Sequence, residues 1–458
     1  MANTHSAATP PRASRAGIFG WVMFDWSMQP FFTLVTTFVF APWFAAHLAR
    51  DPAAGQAQWG YATAAAGLVI AVLSPVLGSI ADALGRHKPW VAAFGVLMML
   101  GSSVLWLATP HHPAAVVLAL AGFVIGTIGA EFATVFNNAM MPRLVPPSEL
   151  GRLSGTGWAV GYVGGLVSLV FVLGFLAGDA ETGKTLLGLT PLFGLDPATG
   201  AGARATGPLS ALWFVVFALP MFLFTPDSHH GGKAAETIGT GLARLADTAR
   251  DLRAVPGLGR FLVANMIYTD GLVALFAFGG IYAAGVFGWS TIELGIFGIL
   301  LTVTGSIGAY AGGRLDDRFG SRIVVLGALT LLFAMLVLVV SIDRAHIFFV
   351  VPVAAAAGGL FAGTAAKVYL LAGAIIGLAA GPLQAASRTQ LARMAPPGAI
   401  ARFYGFFALS GKVTSFMGPL AVAVVTDWTD SQRAGAGVLA LFLVTGFVLM
   451  AGVKPPRR

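Results

Sequence analysis

Cysteine is absent from the chain, which excludes disulfide scaffolds and thiolate metal centres. Charge is nearly as scarce. Only 10% of the residues are Asp, Glu, Lys or Arg, against about 25% in soluble domains, so 458 residues cannot present a water-compatible surface. The eight histidines, His5, His47, His87, His111, His112, His229, His230 and His346, all fall in polar connections or near the ends of apolar runs. A histidine relay deep in a membrane is therefore not expected. There is no His-Glu-x-x-His zinc motif, and no histidine is paired with a serine or an acid inside an apolar run. An intramembrane protease or transferase is accordingly not expected. Alternation of polar and apolar residues with period two is missing too, which excludes an outer-membrane barrel.

What is present is apolar: 57% hydrophobic residues and a mean hydropathy of +0.82. The runs reach the roughly 20 residues that cross a bilayer as a helix, and lipid leaves the backbone no other partner. Twelve spans are expected, near 18–46, 59–82, 89–109, 113–140, 153–178, 209–225, 259–286, 290–312, 322–342, 367–394, 402–426 and 434–452. The domain plan is a cytoplasmic tail (1–17), a six-helix bundle (18–225), a cytoplasmic linker (226–258), a second six-helix bundle (259–452) and a short cytoplasmic tail (453–458). The first apolar run is too long for a signal-peptide core and reads as a retained span. In the linker, Leu242, Leu245, Ala249 and Leu252 fall at helical spacing opposite Arg244, Asp247, Arg250, Asp251 and Arg253, which predicts an amphipathic helix. Segment 343–366 extends span nine, re-enters the membrane or forms an outer loop.

With the N-terminus placed inside, most of the 27 basic residues fall on cytoplasmic segments. Arg50, Lys184, Arg204, Arg344 and Arg433 fall outside, and Lys367, Arg388 and Lys412 lie within or at the edges of spans. This is the positive-inside pattern. It accounts for the net charge of +8 without nucleic acid as a partner.

The halves repeat. "GSIADALGRHK" and "GRLDDRFGSR" share Gly-x-x-x-Asp-x-x-Gly, pairing Gly78, Asp82 and Gly85 with Gly313, Asp317 and Gly320, each followed by basic residues, Arg86 and Arg322 among them. "RLVPPSELGRLSGTGWAVG" and "RMAPPGAIARFYGFFALSG" place Arg143, Pro146, Pro147, Arg152, Gly155 and Gly161 on Arg393, Pro396, Pro397, Arg402, Gly405 and Gly411 at one constant offset. Two matches in corresponding loops indicate duplicated six-span units. A parallel repeat of this kind is the architecture of major facilitator transporters, with the binding site near the midplane between the halves. Asp82 and Asp317 are placed to accept from a neighbouring helix N-terminus or to pair with a loop arginine, holding the cytoplasmic side closed in an outward-facing state.

The glycine-aspartate motif resembles the 2–3 loop signature of the major facilitator superfamily. The stretches "FDWSMQPFFTLVTTFVFAPWFA", "RFLVANMIYTDGL", "GPLQAASRTQLARMAP" and "FYGFFALSGKVTSFMGPL" resemble one branch of it. That branch holds the fungal vacuolar effluxers linked to autophagy and amino-acid release, and bacterial relatives called unknown major facilitators. The resemblance covers essentially all twelve spans. It implies an all-α membrane protein of twelve transmembrane helices in two six-helix repeats, acting as a transporter and not as an enzyme.

Ionisable residues inside spans are candidates for function: Asp25, Glu131, Asp270, Arg388 and Lys412. Each lies on a polar stripe. Asp25, Gln29, Thr33 and Thr36 share a face of span one, Glu131, Thr134 and Asn138 one of span four, and Gln384 and Arg388 one of span ten. The expected substrate pathway or coupling set is therefore Asp25, Gln29, Glu131, Asn138, Asp270, Gln384, Arg388 and Lys412. Arg388 suits a carboxylate. Asp25 or Glu131 suits an amine or a proton, and Lys412 and Arg388 are the candidate partners of Asp25. Pro30 cannot donate to the carbonyl of Trp26, so span one should bend there.

"GDAETGKT", Gly178 to Thr185, matches the phosphate-loop pattern letter for letter. It follows a membrane helix where that loop requires a strand, so no nucleotide is expected. The expected function is secondary active transport of a small polar, amino-acid-like metabolite by alternating access, in a bacterial inner membrane, with both termini cytoplasmic and the chain a monomer. No cofactor or metal is expected, and proton or Na⁺ coupling stays open. The alternatives are a sugar or other polar-solute cation symporter of the same fold, and a non-transporting receptor or scaffold.

Overall fold

The computed structural model describes residues 12–50, 52–110, 112–178, 182–227, 255–287, 289, 291–353, 361–396, 400–411, 414, 417–429 and 431–453. The expected linker helix and Lys412 both lie outside them altogether.

Helix α1 (Arg15–Pro30) opens on Ser14, whose hydroxyl accepts from Gly17 N at 3.0 Å. Beyond Pro30 the chain keeps turning as a wider π-type helix over Phe31–Phe38, and Val39 N reaches back to Leu34 O at 3.1 Å. The hydroxyls of Thr36 and Thr37 both donate to the Phe32 carbonyl. The Trp26 carbonyl, deprived of its helical donor by the proline, accepts from Trp213 Nε1 at 3.3 Å. The break is thus absorbed by wider turns and side-chain donors.

There follow α2 (Pro52–Leu84), α3 (Lys88–Val104), α4 (Ala115–Met140), α5 (Leu150–Phe171), α6 (Ala201–Phe224), α7 (Leu258–Phe287), α8 (Thr291–Phe319), α9 (Ser321–Val340), α10 (Thr364–Met394), α11 (Ile400–Ser410), α12 (Met417–Thr429) and α13 (Leu439–Ala451). Among the described residues, nine helices are long and apolar enough to cross a membrane by length and composition. The first passage with its widened turns, α2, and the pair α11–α12 complete twelve.

Span two starts early, at Pro52 rather than near 59, and three further differences bear on the site. Span six starts at Ala201, not near 209, because Arg204 is accommodated inside the helix. Its guanidinium donates to Trp106 O at 2.8 Å and lies 5.0 Å from the Trp106 ring centre. Span eight runs on to Phe319, so Gly313 and Asp317 belong to the last turns of a helix and not to a loop. Span eleven is two helices, α11 and α12, where one continuous helix was expected. The second glycine of each motif ends its helix. Gly85 and Gly320 hold φ of 67° and 89°, a conformation in which a side chain would be strained.

In the N-terminal half α1 packs on α5 and α6, and α3 on α4; in the C-terminal half α8 and α9 pack on α10, and α7 on α13. The halves meet where α5 lies along α8 and α2 along α11. A shift of six spans turns the first of these contacts into the second, as duplicated units require. In the connection between α5 and α6, Gly178 and Thr185 form an isolated antiparallel bridge, and the next long helix begins only at Ala201.

Segment 343–366 begins as a connection with a short hairpin, β1 (His346–Ile347) against β2 (Val351–Pro352), rather than as an extension of α9. Residues 354–360 are outside the described set. Asp343 organises the turn: its carboxylate accepts from Ala345 N and His346 N, both at 2.8 Å, and from Arg433 Nη2 at 3.0 Å. The Ala345 N–H, then Arg433 and the His346 N–H, hold this carboxyl down at about 2, below its ordinary 3.8. A depressed folded-state value means that the stabilisation is complete above about pH 4 and is lost as the pH falls through about 2. Hydrogen exchange at Ala345 and His346, corrected for intrinsic rates, should lose protection across that window. Asp343→Asn should abolish the transition.

Candidate functional site

The strongest polar junction between the halves is built on Arg388. It lies on α10, six residues before the helix ends at Met394, or about 9 Å at 1.5 Å per residue. Its residue is 4% exposed, and each guanidinium nitrogen is engaged. Nη1 donates to Asp25 Oδ2 and to Asn138 Oδ1, both at 3.1 Å, Nε to Ser154 Oγ at 2.9 Å, and Nη2 to Ser154 O at 2.6 Å. The rings of Trp21 and Trp158 lie 5.1 and 5.7 Å from the guanidinium carbon. A cation from the second half is thus held by three helices of the first, α1, α4 and α5. A buried charge is tolerated because its donors are satisfied and an opposite charge is in contact.

Local packing explains why α1 can bring Asp25 there. Gly157, Gly161 and Gly165 recur every fourth residue on α5, and a Cβ added to them would meet Asp25, Gln29 and Thr33, which recur every fourth residue along α1 and the π-type turns that continue it. The polar stripe of span one therefore packs against a glycine stripe and does not simply line a pathway. Gln384, one turn before Arg388, donates to Tyr162 OH across the halves at 2.7 Å.

Of the residues expected from sequence, Asp25, Asn138 and Arg388 come together, with Gln29 and Gln384 on adjoining turns. Glu131 lies half-buried on α4, two turns before Asn138. Asp270 is buried on α7 and makes no bond to the Arg388 junction. Ser154, Trp158 and Tyr162 were missed. They stand at i, i+4 and i+8, a signal that the glycine-rich sequence of span five obscured.

A second junction closes the same end of the bundle. Asp317 Oδ1 accepts from Gly151 N at 2.8 Å and Oδ2 from Arg152 N at 2.9 Å. A carboxylate from one half thus caps the N-terminus of α5 in the other. Arg393 bonds Asp316 and Ser321, lies 3.5 Å from Asp317 Oδ1 and donates to Pro147 O at 3.4 Å. Asp316 was not anticipated, because its counterpart in the repeat is Ala81 and the alignment pointed at Asp317 alone. Here α5 and α8 touch through glycine. A Cβ on Gly155 would meet Ala309 O and come within 2.7 Å of Gly313 Cα. Arg322 donates to Ala451 O at the end of α13, and Arg86 is exposed. Gly78 is buried in α2, and the side chain of Asp82 lies outside the described set.

Asp317→Ala removes both capping bonds and one partner of Arg393. About 1–2 kcal/mol of cap energy should be lost from this arrangement, shifting its population roughly 5–30-fold. Because the chain has no cysteine, spin labels placed at Arg86 and Arg318, exposed and in opposite halves, report the distance directly. An unchanged distance distribution would count against the cap as a lock.

Residues 56–457 match the family model described as vacuole effluxer Atg22 like. The chain is 25% identical over 437 residues to the uncharacterized MFS-type transporter YxiO of Bacillus subtilis (strain 168), covering 94% of each. It is 26% identical over 311 residues to autophagy-related protein 22 of Cryptococcus neoformans var. neoformans serotype D, covering 67% of this chain and 53% of that one, so this match spans about half of the fungal relative. Among solved structures, the major facilitator transporter FucP in its outward conformation superposes with a TM-score of 0.69 at 16% identity, covering 96% and 98% of the two chains. The human organic anion transporter MFSD10 superposes with a TM-score of 0.68 at 17% identity, covering 95% and 99%. At these identities the likeness speaks for the fold. The Bacillus relative is an MFS-type transporter, and FucP and MFSD10 are transporters; the chain is a multi-pass membrane protein of the major facilitator fold. The chain belongs to the Atg22-like vacuole effluxer family.

Proposed function

We propose that the protein moves a small zwitterionic, amino-acid-like solute by alternating access, and that Arg388 is both the lock between the halves and the group that recognises the solute carboxylate. The observation that carries this reading is the contact of Arg388 with Asp25, Asn138 and Ser154 across the halves. Asp25 occupies on Arg388 the place that a substrate carboxylate would take. A carboxylate entering from the opposite end competes for the guanidinium, frees Asp25 to meet the substrate amine, and loosens the junction that keeps the halves together. Binding is thereby tied to opening, since a ligand shifts a conformational equilibrium only through its different affinity for the two states. In this reading the end bearing Asp317 and Arg393 faces the cytoplasm of a bacterial inner membrane, by the distribution of basic residues, and the present arrangement is outward-facing.

The test is counterflow in proteoliposomes with radiolabelled amino acids, the corresponding amines without a carboxylate, and sugars. Exchange is expected for amino acids and not for the amines. Equal exchange of the decarboxylated amines would remove the role given to Arg388. Exchange of sugars alone would favour a sugar carrier recognising hydroxyls through Gln384 and Tyr162. No exchange of any solute would favour a receptor.

A further inference from the structure

Asp270 is a buried carboxylate that the Arg388 junction does not use. It lies twelve residues beyond the start of α7 at Leu258, about 18 Å along the helix, near the middle of this 30-residue passage. The residue is 2% exposed, and Oδ1 has no hydrogen-bond partner among the described residues. α12 packs tightly on this turn of α7: a Cβ on Gly418 would lie 2.6 Å from the Asp270 backbone carbonyl oxygen. The Thr414 hydroxyl faces the carboxylate without forming a well-made hydrogen bond. Nearby, Asn265 Nδ2 donates to Ser410 Oγ at 3.1 Å. Among the described residues of the polar seam between α7 and the α11–α12 junction, Asp270 is the one ionisable group.

No described cation compensates it. α13, the main neighbour of α7, carries no ionisable residue. On α10, Arg388 is engaged by Asp25, and Arg433, between α12 and α13, is engaged by Asp343. The Tyr268 hydroxyl pairs with Ser387, and that of Tyr404 donates to Arg388 O. Lys412 and the side chain of Asp427 lie outside the described set. An unpaired carboxylate at membrane depth is costly when ionised and acceptable when neutral. A proton on Oδ1 would neutralise the group and turn that oxygen into a donor.

We propose that Asp270 is the proton-carrying residue of the transport cycle. It takes up one proton from the aqueous side to which the site is open, crosses as the neutral acid with the seam closed, and returns the proton as a carboxylate to water on the other side. This rests on the transport reading above but uses residues separate from the Arg388 junction.

The experiment has two arms. Infrared difference spectroscopy of the purified full-length protein at neutral pH should show a protonated-carboxyl band that Asp270→Asn lacks. In proteoliposomes, a pH gradient should drive accumulation of the radiolabelled amino-acid panel. Asp270→Asn should lose that accumulation while keeping counterflow, and Asp270→Glu should regain it. Persistence of the band in Asp270→Asn, retained pH-driven accumulation in that variant, or accumulation by the wild type that follows sodium and ignores pH would each overturn the proposal. Absence of all counterflow in the wild type would overturn the transport reading instead, and the infrared band would then decide the protonation of Asp270 by itself.

Discussion

Arg388→Ala should destabilise the protein by about 3–5 kcal/mol, the usual consequence of removing one partner of a buried ion pair. The reason is not the 3.1 Å contact with Asp25 alone. Alanine leaves the Asp25 carboxylate with no cation, and Asn138 Oδ1, Ser154 Oγ and Ser154 O lose the donor they share. Water cannot easily replace it beneath Trp21, which is fully buried. The measurement is denaturant or thermal unfolding in one detergent, set in a double-mutant cycle with Asp25→Asn. Arg388→Gln with Asp25→Asn should recover most of the loss, since no net charge is then buried, while exchange of amino acids stays absent. A loss below about 1 kcal/mol in the single variant, the range of exposed pairs, would show that the pair is solvated in the working protein.

Gly155→Val should act on the conformational balance. In this arrangement the new side chain would collide with backbone of α8, 2.7 Å from Gly313 Cα and 2.9 Å from Gly313 N, and backbone cannot rotate aside. Overpacking of this kind costs about 1–3 kcal/mol. The collision exists only while α5 and α8 lie together, so the chain escapes it by separating the halves at this end. That corresponds to a shift of roughly 5–150-fold toward the alternative state. The Arg86–Arg318 label pair should report a longer distance, and Gly155→Ala should fall between. If Gly155→Val lowers thermal stability with no change in distance, the contact is a permanent part of the fold and not a gate.

Much of this was readable in one dimension. The span count follows from apolar run lengths, because a lipid environment forces such runs to satisfy their backbones internally. The duplicated architecture follows from two matched loop motifs, and the resemblance of the spans agrees with the family match over residues 56–457. A disturbance at Pro30 was legible too, since a missing N–H is a local property; the structure takes it up as a widened π-type helix over Phe31–Phe38. Local sequence failed where a long-range partner rescues an unfavourable residue. Arg204 shortened span six on paper and extends it in space, through Trp106. Asp316 has no counterpart in the repeat, yet it binds Arg393.

By itself the sequence determined which residues are too polar for lipid and so must find partners: Asp25, Asn138, Arg388, Asp270 and the rest. It did not determine which partner each one takes. Asp25 and Arg388 are 363 positions apart, and no periodicity connects them. Their pairing was decided by tertiary structure, through the glycine stripe that lets α1 approach α5 and through the meeting of the halves along α5 and α8. The same packing left Asp270 without a described cation. The physical reason is that burial and charge are local costs, written residue by residue, whereas their compensation is a contact between surfaces that exists only when the helices are assembled.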